Sequence, residues 1–371
     1  MRSLTWKGAP QPHLAWFDAG PLERARDHLA REIRREAAGG RVVIVTSRNV
    51  HRLYRERFFV PLARALDAPE PVRLPDGEDR KGVAEWTSIF ENLLANRIDR
   101  RDVIVAVGGG VLTDVAGFAA ATFKRGLAWI SVPTTLTGQV DAAIGGKTAV
   151  DFGAAKNMIG AFWQPRAVAL IPAFLETLPD REIRCGLAEV VKTGLGLDAR
   201  FFRWIERHVD DLRNRDQTAL SRVVRVCAAA KLRVVADDPL DQGGRAVLNL
   251  GHTVGHAAEA AGNFRRWNHG ECVATGMVVM ARLAERRGYL TVAARTRLER
   301  LIDELDLLPR RLPKPEEVES FLMLDKKKIG RRIVAVIPGP IGEFRLEPLD
   351  PRELVEARYW SGFRKTGRKV S

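Results

Sequence analysis

The chain has 371 residues, 46% of them hydrophobic, three cysteines and a formal net charge of +14. That length and apolar share allow two domains with their own cores and exclude a disordered or fibrous chain. The scattered Cys185, Cys227 and Cys272 argue against a disulfide framework or a thiolate metal site, and no apolar run approaches the roughly 20 residues needed to cross a bilayer.

The first residues, Met1 to Trp6, lack the apolar core of a signal peptide, so a cytoplasmic protein without membrane contact is expected. The positive charge is mostly arginine interleaved with acids, as where Arg31, Arg34 and Arg35 alternate with Glu32 and Glu36. Only residues 364–369 form a compact basic cluster. With no base-reading module, no nucleic-acid partner is expected, and the field suits a small anionic substrate instead.

In chain order, Leu22, Ala25, Leu29 and Ile33 recur at helical spacing after Pro21, and Gly39-Gly40 ends that helix. Val42-Val43-Ile44-Val45 is a continuous β-branched run, the pattern of a strand buried on both faces. A helix over 51–66, a short strand at 72–74 and a helix carrying Trp86, Ile89, Phe90, Leu93 and Leu94 lead to a second buried strand at 103–107. A helix starting near Asp114 and a strand at 128–132 follow. This alternation predicts an α/β dinucleotide-binding domain with a parallel sheet over residues 1–176. From about Leu175 clear strands give way to amphipathic stretches at 182–197, 201–212, 218–236, 253–261 and 271–287, so residues 177–371 read as a mainly α-helical domain. One isolated strand is expected at 332–337.

The groups that carry chemistry sit at the ends of these elements. Gly108-Gly109-Gly110-Val111, with Thr113 and Asp114, joins a buried strand to a helix, a place where backbone N–H groups and the helix dipole receive a pyrophosphate. It is not the GxGxxG pattern of an ordinary Rossmann dehydrogenase. Asp76, Glu78 and Lys81 follow one strand and Thr134-Thr135 another, where open α/β sheets bind ligands. Lys147 and Lys156-Asn157 lie near glycines and offer point charges to phosphate or carboxylate. Glu189 and Lys192 stand on an otherwise apolar helix, and a carboxylate there needs a cation. His252 and His256, four apart, share one helical face, and His269 lies beyond a break at Gly262-Asn263. Glu189 with two of these three histidines makes a three-ligand site with positions left open. Spacing does not say which two.

Taken in order, Gly108-Gly109-Gly110-Val111 with Asp114, Pro133-Thr134-Thr135-Leu136, Gln139-Val140-Asp141, Gly145-Gly146-Lys147-Thr148, Lys156-Asn157, Ala188-Glu189-Val190 with Lys192, Leu248-Asn249, Gly251-His252-Thr253, Gly255-His256, His269-Gly270-Glu271 and Asp325-Lys326-Lys327 resemble the 3-dehydroquinate synthase family. The likeness spans about residues 41–342. It implies an NAD-binding α/β domain and a helical domain holding Zn2+ (or Co2+), with the active site between them. Glu189, His252 and His269 match the metal ligands. NAD falls against residues 76–81, Gly109, Gly110, Val111, Asp114, Thr134, Thr135, Lys147, Lys156, Phe174 and Thr177. Asp141, Lys192, Lys231, Arg245, Asn249 and His256 match substrate-contacting positions. Lys147, Asn157 and Lys326 match positions near its phosphate, and Arg125 one lent across a homodimer interface.

The implied reaction converts DAHP, a seven-carbon keto-acid phosphate, to 3-dehydroquinate and phosphate. Transient oxidation by NAD+ acidifies the neighbouring C–H, phosphate leaves, the hydride returns, and an aldol closure follows. The chain departs from the family pattern at Ser47, where an Asp is usual, at Ala149 and Asp151 in place of Gly and Asn, and at Pro172, Pro239 and Asp241. Those departures bear on substrate identity. A sugar phosphate cyclase making 2-epi-5-epi-valiolone or 2-deoxy-scyllo-inosose is the nearest alternative, and a metal-dependent alcohol dehydrogenase a more distant one. Arg245 with Lys231 suits a substrate carboxylate that the sugar phosphates lack.

Overall fold

The structure, a computed structural model, describes residues 2–6, 13–153, 155–323, 328–329 and 332–362. It contains two compact units, Met1–Pro179 with Leu220–Leu240, and Asp180–Ala219 with Asp241–Ser371.

In the first unit the strands are β1 (Arg2–Trp6), β2 (His13–Phe17), β3 (Val42–Ser47), β4 (Val72–Leu74), β5 (Val103–Gly108), β6 (Ala128–Pro133), β7 (Lys147–Phe152), β8 (Ala155–Phe162) and β9 (Ala167–Leu170). Seven form one sheet in the order β1-β2-β9-β6-β5-β3-β4, six of them parallel and β1 antiparallel at one edge. β7 and β8 pair as a separate hairpin. The helices are α1 (Leu22–Ala37), α2 (Arg48–Tyr54), α3 (Val60–Leu66), α4 (Val83–Ala95) and α5 (Gly110–Thr122).

The β-branched runs explain the layering. Alternate side chains of a strand point to opposite faces, so Val42, Ile44, Val103, Val105 and Val107 meet α1 and the aromatic cluster Phe58 and Phe59. Val43, Val45, Ile104 and Ala106 meet α4 and α5 through Ile89, Leu93, Val115 and Ala119. Each such side chain, fully buried, contributes about 1.5–3 kcal/mol. The helix expected over 51–66 is α2, a π turn at Arg55–Phe59 and α3. Pro61 has no N–H to close a regular turn, and its ring crowds the carbonyl four residues earlier, so the chain widens there. The helix expected near Asp114 begins at Gly110, which puts Asp114 one turn inside it.

Because the connections run from β3 out to β4 and back to β5, then on to β6, the loops after β3 and β5 diverge to opposite faces. That divergence is the switch point at which open α/β sheets hold nucleotides.

The second unit has α6 (Asp180–Leu197), α7 (Ala199–Arg207), α8 (Val209–Arg213), then α9 (Gln217–Asp237), which belongs to the first unit from Leu220 onward. It continues with α10 (His252–Ala261), α11 (His269–Arg286), α12 (Val292–Glu304), α13 (Pro315–Leu322) and α14 (Ala357–Trp360). The strand expected to stand alone at 332–337 does not: β11 (Arg332–Pro338) is the middle of an antiparallel sheet with β10 (Lys328–Ile329) and β12 (Phe344–Leu349). β12 is exposed along most of its length and carries little apolar signal, so its pairing is invisible in sequence.

Two contacts set how closely the ligand-bearing helices approach. A Cβ at Gly270 would lie 2.4 Å from Cys185 Cα, so α11 rests directly on α6. A Cβ at Gly276 would lie 2.0 Å from the carbonyl oxygen of Gly251, which itself has φ 78° just before α10. A methyl group at either place has only backbone to push against. Gly276→Ala is therefore expected to destabilise the protein by about 1–3 kcal/mol, read as a lowered denaturant midpoint; an unchanged midpoint would contradict this packing.

Candidate active site and metal centre

α6 is buried almost without interruption from Cys185 to Gly196. It carries Glu189 and Lys192 into that surrounding, 1% and 4% exposed. The two form an i,i+3 ion pair through Glu189 Oε2, and Lys192 Nζ also donates to the Leu248 carbonyl at 2.8 Å. The other carboxylate oxygen, Oε1, lies 3.0 Å from His269 Nε2 and 3.6 Å from His252 Nε2.

Both imidazoles are placed by helix starts. His252 opens α10 behind Gly251, and His269 opens α11 behind Asn268, whose side chain exchanges caps with Glu271. The far nitrogens are also engaged. His252 Nδ1 lies 3.2 Å from the Leu250 carbonyl oxygen and His269 Nδ1 3.1 Å from Glu259 Oε1. Donation from each Nδ1 turns each Nε2 towards Glu189, the arrangement that orients metal-bound histidines.

Ligand atoms of Glu189, His252 and His269 lie within 4.8 Å of one another. Two nitrogens and one oxygen with further positions open is the donor set of a catalytic zinc-type ion, so these residues fit such a group. The electrostatics of His252 and Glu189 agree. Burial, with the charge of Lys192, holds His252 well below the ordinary histidine range, hence neutral and ready to donate. Burial opposes the ionised Glu189, but Lys192, His252 and His269 outweigh it and keep the carboxyl well below its usual range. For His269 burial is opposed by Glu259 and Glu189, which hold it well above the ordinary value, so without an ion it keeps a proton shared with Glu189 Oε1, and metal binding displaces that proton.

His256, Glu259 and His269 form a second group within the same 4.8 Å limit, with His256 exposed. The more buried group is the better site, because in it Glu259 serves to orient His269. Sequence reading missed Glu259; its spacing, three after His256 and seven after His252 on one helix face, was the available signal. Arg245 is 3% exposed on the 3-10 turn Gly244–Asn249, which also carries Asn249.

The first unit assembles the remaining residues. α5 starts at Gly110 with Gly109 as its cap, and Val111 and Asp114 lie in its first turns. Lys81 Nζ, almost fully buried, donates to Asp114 Oδ2 at 2.5 Å and to Asn157 Oδ1 at 2.6 Å. Burial works against that ammonium, but Asp114 more than offsets it and raises the Lys81 pKa. Lys156 bridges Glu78 at 3.0 Å and Asp151 at 2.8 Å, and Asp151 also accepts the Asn157 N–H at 2.8 Å. Lys156 thus ties the β7–β8 hairpin to Glu78, while the Asp151 side chain holds Lys156 and Asn157 within the hairpin. Asp76 accepts the Asn49 N–H at 2.9 Å. Lys231 Nζ and Asp141 Oδ1 lie 2.6 Å apart.

Thr134 is buried, and the Thr135 hydroxyl accepts the Gly138 N–H at 3.1 Å. Phe174 is a core side chain against Tyr54 and Phe58, so any ligand contact there falls to its backbone, while Thr177 bonds Tyr54 at 2.7 Å. Lys147 begins β7 and is exposed, as is Arg125 in the turn after α5. Lys326 and the basic cluster at 364–369 lie outside the described residues.

Residues 71–185 match the 3-dehydroquinate synthase N-terminal family and residues 186–328 its C-terminal counterpart. A 3-dehydroquinate synthase of Azotobacter vinelandii is 41% identical over 363 residues, covering 96% of each chain. The chain belongs to the 3-dehydroquinate synthase family.

Among solved structures, the 2-epi-5-epi-valiolone synthase of Streptomyces hygroscopicus subsp. jinggangensis, with NAD+ and Zn2+ bound, is 29% identical with a TM-score of 0.76, covering 85% of this chain and 88% of that one. A 2-deoxy-scyllo-inosose synthase complexed with carbaglucose-6-phosphate, NAD+ and Co2+ shares the fold, with a TM-score of 0.83 at 24% identity over 95% of this chain and 98% of that one.

The two histidine groups make opposite predictions for metal content. His252→Ala should abolish stoichiometric metal binding, while Glu259→Ala should keep one ion per chain but weaken affinity about 10–100-fold, measured by chelator competition. The reverse pattern would move the ion to the exposed group.

Proposed function

We propose that this chain is a 3-dehydroquinate synthase acting as a carbon–oxygen lyase, converting DAHP to 3-dehydroquinate and phosphate. The observation that carries this reading is the donor set of buried Glu189 and His252 with half-buried His269, in a chain of this family that aligns over nearly its whole length with a known synthase. The net reaction breaks a C–O bond to phosphate and forms a C–C bond, with no net redox change.

When bound, a divalent ion, Zn2+ or Co2+, supplies Lewis-acid polarisation of substrate hydroxyls and NAD+ supplies a hydride acceptor that is regenerated. The protein's own groups bind and orient. Arg245 offers a buried guanidinium, whose planar fork suits the substrate carboxylate bidentately. Lys192 sets the charge beside Glu189 and, with Asn249 and His256, lies on the substrate side of this reading. In the other unit Lys81, Lys156, Lys147 and Asn157 supply positive charge and donors for phosphate groups, and the α5 N-terminus receives the dinucleotide. Asp141 and Lys231 hold each other in place, so both present fixed geometry to a substrate hydroxyl or carboxylate. Orientation and charge neutralisation are the protein's main contribution. A cytoplasmic homodimer with Arg125 at its interface completes the proposal, on the family resemblance.

The test is purified protein with NAD+ and Zn2+, offered DAHP, sedoheptulose 7-phosphate and glucose 6-phosphate separately. Phosphate release from DAHP alone, without NADH accumulation, is expected. Release from either sugar phosphate in preference to DAHP would replace the reading by a specialised cyclase, and net NADH production by an alcohol dehydrogenase. Arg245→Ala should raise KM for DAHP by about tenfold or more, and an unaltered KM would remove the carboxylate clamp.

A further inference from the structure

The dinucleotide side of the first unit carries a feature that the reaction does not use. A groove of about 640 Å³ runs along the open edge of the sheet at β4, between α2 and α4. Arg48, His51, Arg52 and Arg55 line it from α2 and the turn that follows, Arg73 from β4 and Asn92 from α4. No acidic side chain is among its lining residues. Arg48, Arg52 and Arg55 recur at helical spacing and form one stripe that starts at the carboxyl end of β3. Arg73, whose strand neighbours Val72 and Leu74 are buried, points to the face that α2 covers.

The position of this stripe matters more than its charge. The crevice at the switch point lies between the loops after β5 and β3, so a dinucleotide whose pyrophosphate sits at the α5 N-terminus has the end of β3 within its reach. Where an adenosine ribose lies at such a strand end, an acid takes its 2′-hydroxyl and an arginine nearby accommodates a 2′-phosphate. Here β3 ends in Ser47, whose hydroxyl accepts the Val50 N–H at 3.4 Å, followed directly by Arg48. The only carboxylate shown reaching this point among the described residues is Asp76, from the neighbouring strand's loop, and its Oδ2 is taken by the Asn49 N–H. Arg52 donates to the Asn49 side chain at 2.8 Å and Arg55 pairs with Glu56, so the stripe is held in place.

Resting on the dinucleotide-site reading above, we propose that the Arg48–Arg52 end of this groove is a phosphate subsite that admits the 2′-phosphate of NADP+, so that the protein binds NADP+ as well as NAD+. A guanidinium pair forms charge-assisted, bidentate bonds to a phosphomonoester that the ribose hydroxyl alone cannot make.

The experiment is isothermal titration of the metal-loaded full chain with NAD+, NADP+, 5′-AMP and 2′,5′-ADP. NADP+ is expected to bind within about tenfold of NAD+, and 2′,5′-ADP about tenfold or more tighter than 5′-AMP. Arg48→Ala combined with Arg52→Ala should weaken NADP+ about tenfold while NAD+ changes less than about threefold. If that variant does not fold, Arg52→Gln alone should show the same split. NADP+ binding weaker than NAD+ by more than about tenfold, or equal loss for both, would overturn the subsite. Binding of NAD+ alone leaves the proposed reaction standing; binding of neither removes the dinucleotide site itself.

Discussion

The close approach of three helices in the second unit is the constraint on which the metal centre depends. α11 lies against α6 at Gly270 and against the start of α10 at Gly276, in both cases with backbone where a side chain would otherwise stand. Only at that separation do the first residues of α10 and α11 bring two imidazoles to one carboxylate oxygen of α6. Interiors are close-packed and relax only partially, so an ångström added between these helices would part the donor atoms.

The second theme is compensation of buried charge. A lone carboxylate as deeply buried as Glu189 would be neutral or strongly destabilising. Lys192 on one oxygen and two histidines facing the other keep it ionised. Lys81 and Asp114 form a second buried pair in the first unit, with Asn157 accepting a further N–H of the ammonium, but there burial outweighs Lys81 and raises the Asp114 carboxyl above its usual range. Such pairs are weak evidence for stability, because desolvation offsets much of the Coulomb gain. Their consequence is geometric: a charged group with fixed partners has one position from which to meet a ligand.

Much of this was legible in the chain itself. β3 and β5 announce themselves as β-branched runs, and Glu189 stands out as an acid on an apolar helix. The short β9 and the half-exposed β8 and β12 do not, because a strand of a few residues or one open to solvent leaves no long apolar pattern. The choice of His252 and His269 came from family likeness, since HxxxH spacing serves His256 equally well; in three dimensions the discriminating fact is which Nε2 atoms face Glu189. Glu259 showed only its place on the His252–His256 face, and the Asp151–Lys156–Glu78 chain of contacts showed nothing. Each depends on partners distant in sequence whose approach no local pattern encodes.

The account's central claim is that one ion is held by side chains from three helices of the second unit. Anomalous X-ray diffraction from crystals of the zinc-loaded protein, collected either side of the metal edge, addresses it directly. The expected result is a single strong peak within about 2.0–2.2 Å of a Glu189 carboxylate oxygen and the Nε2 atoms of His252 and His269. A peak between His256 and Glu259, or none near Glu189 at full metal occupancy, would contradict it.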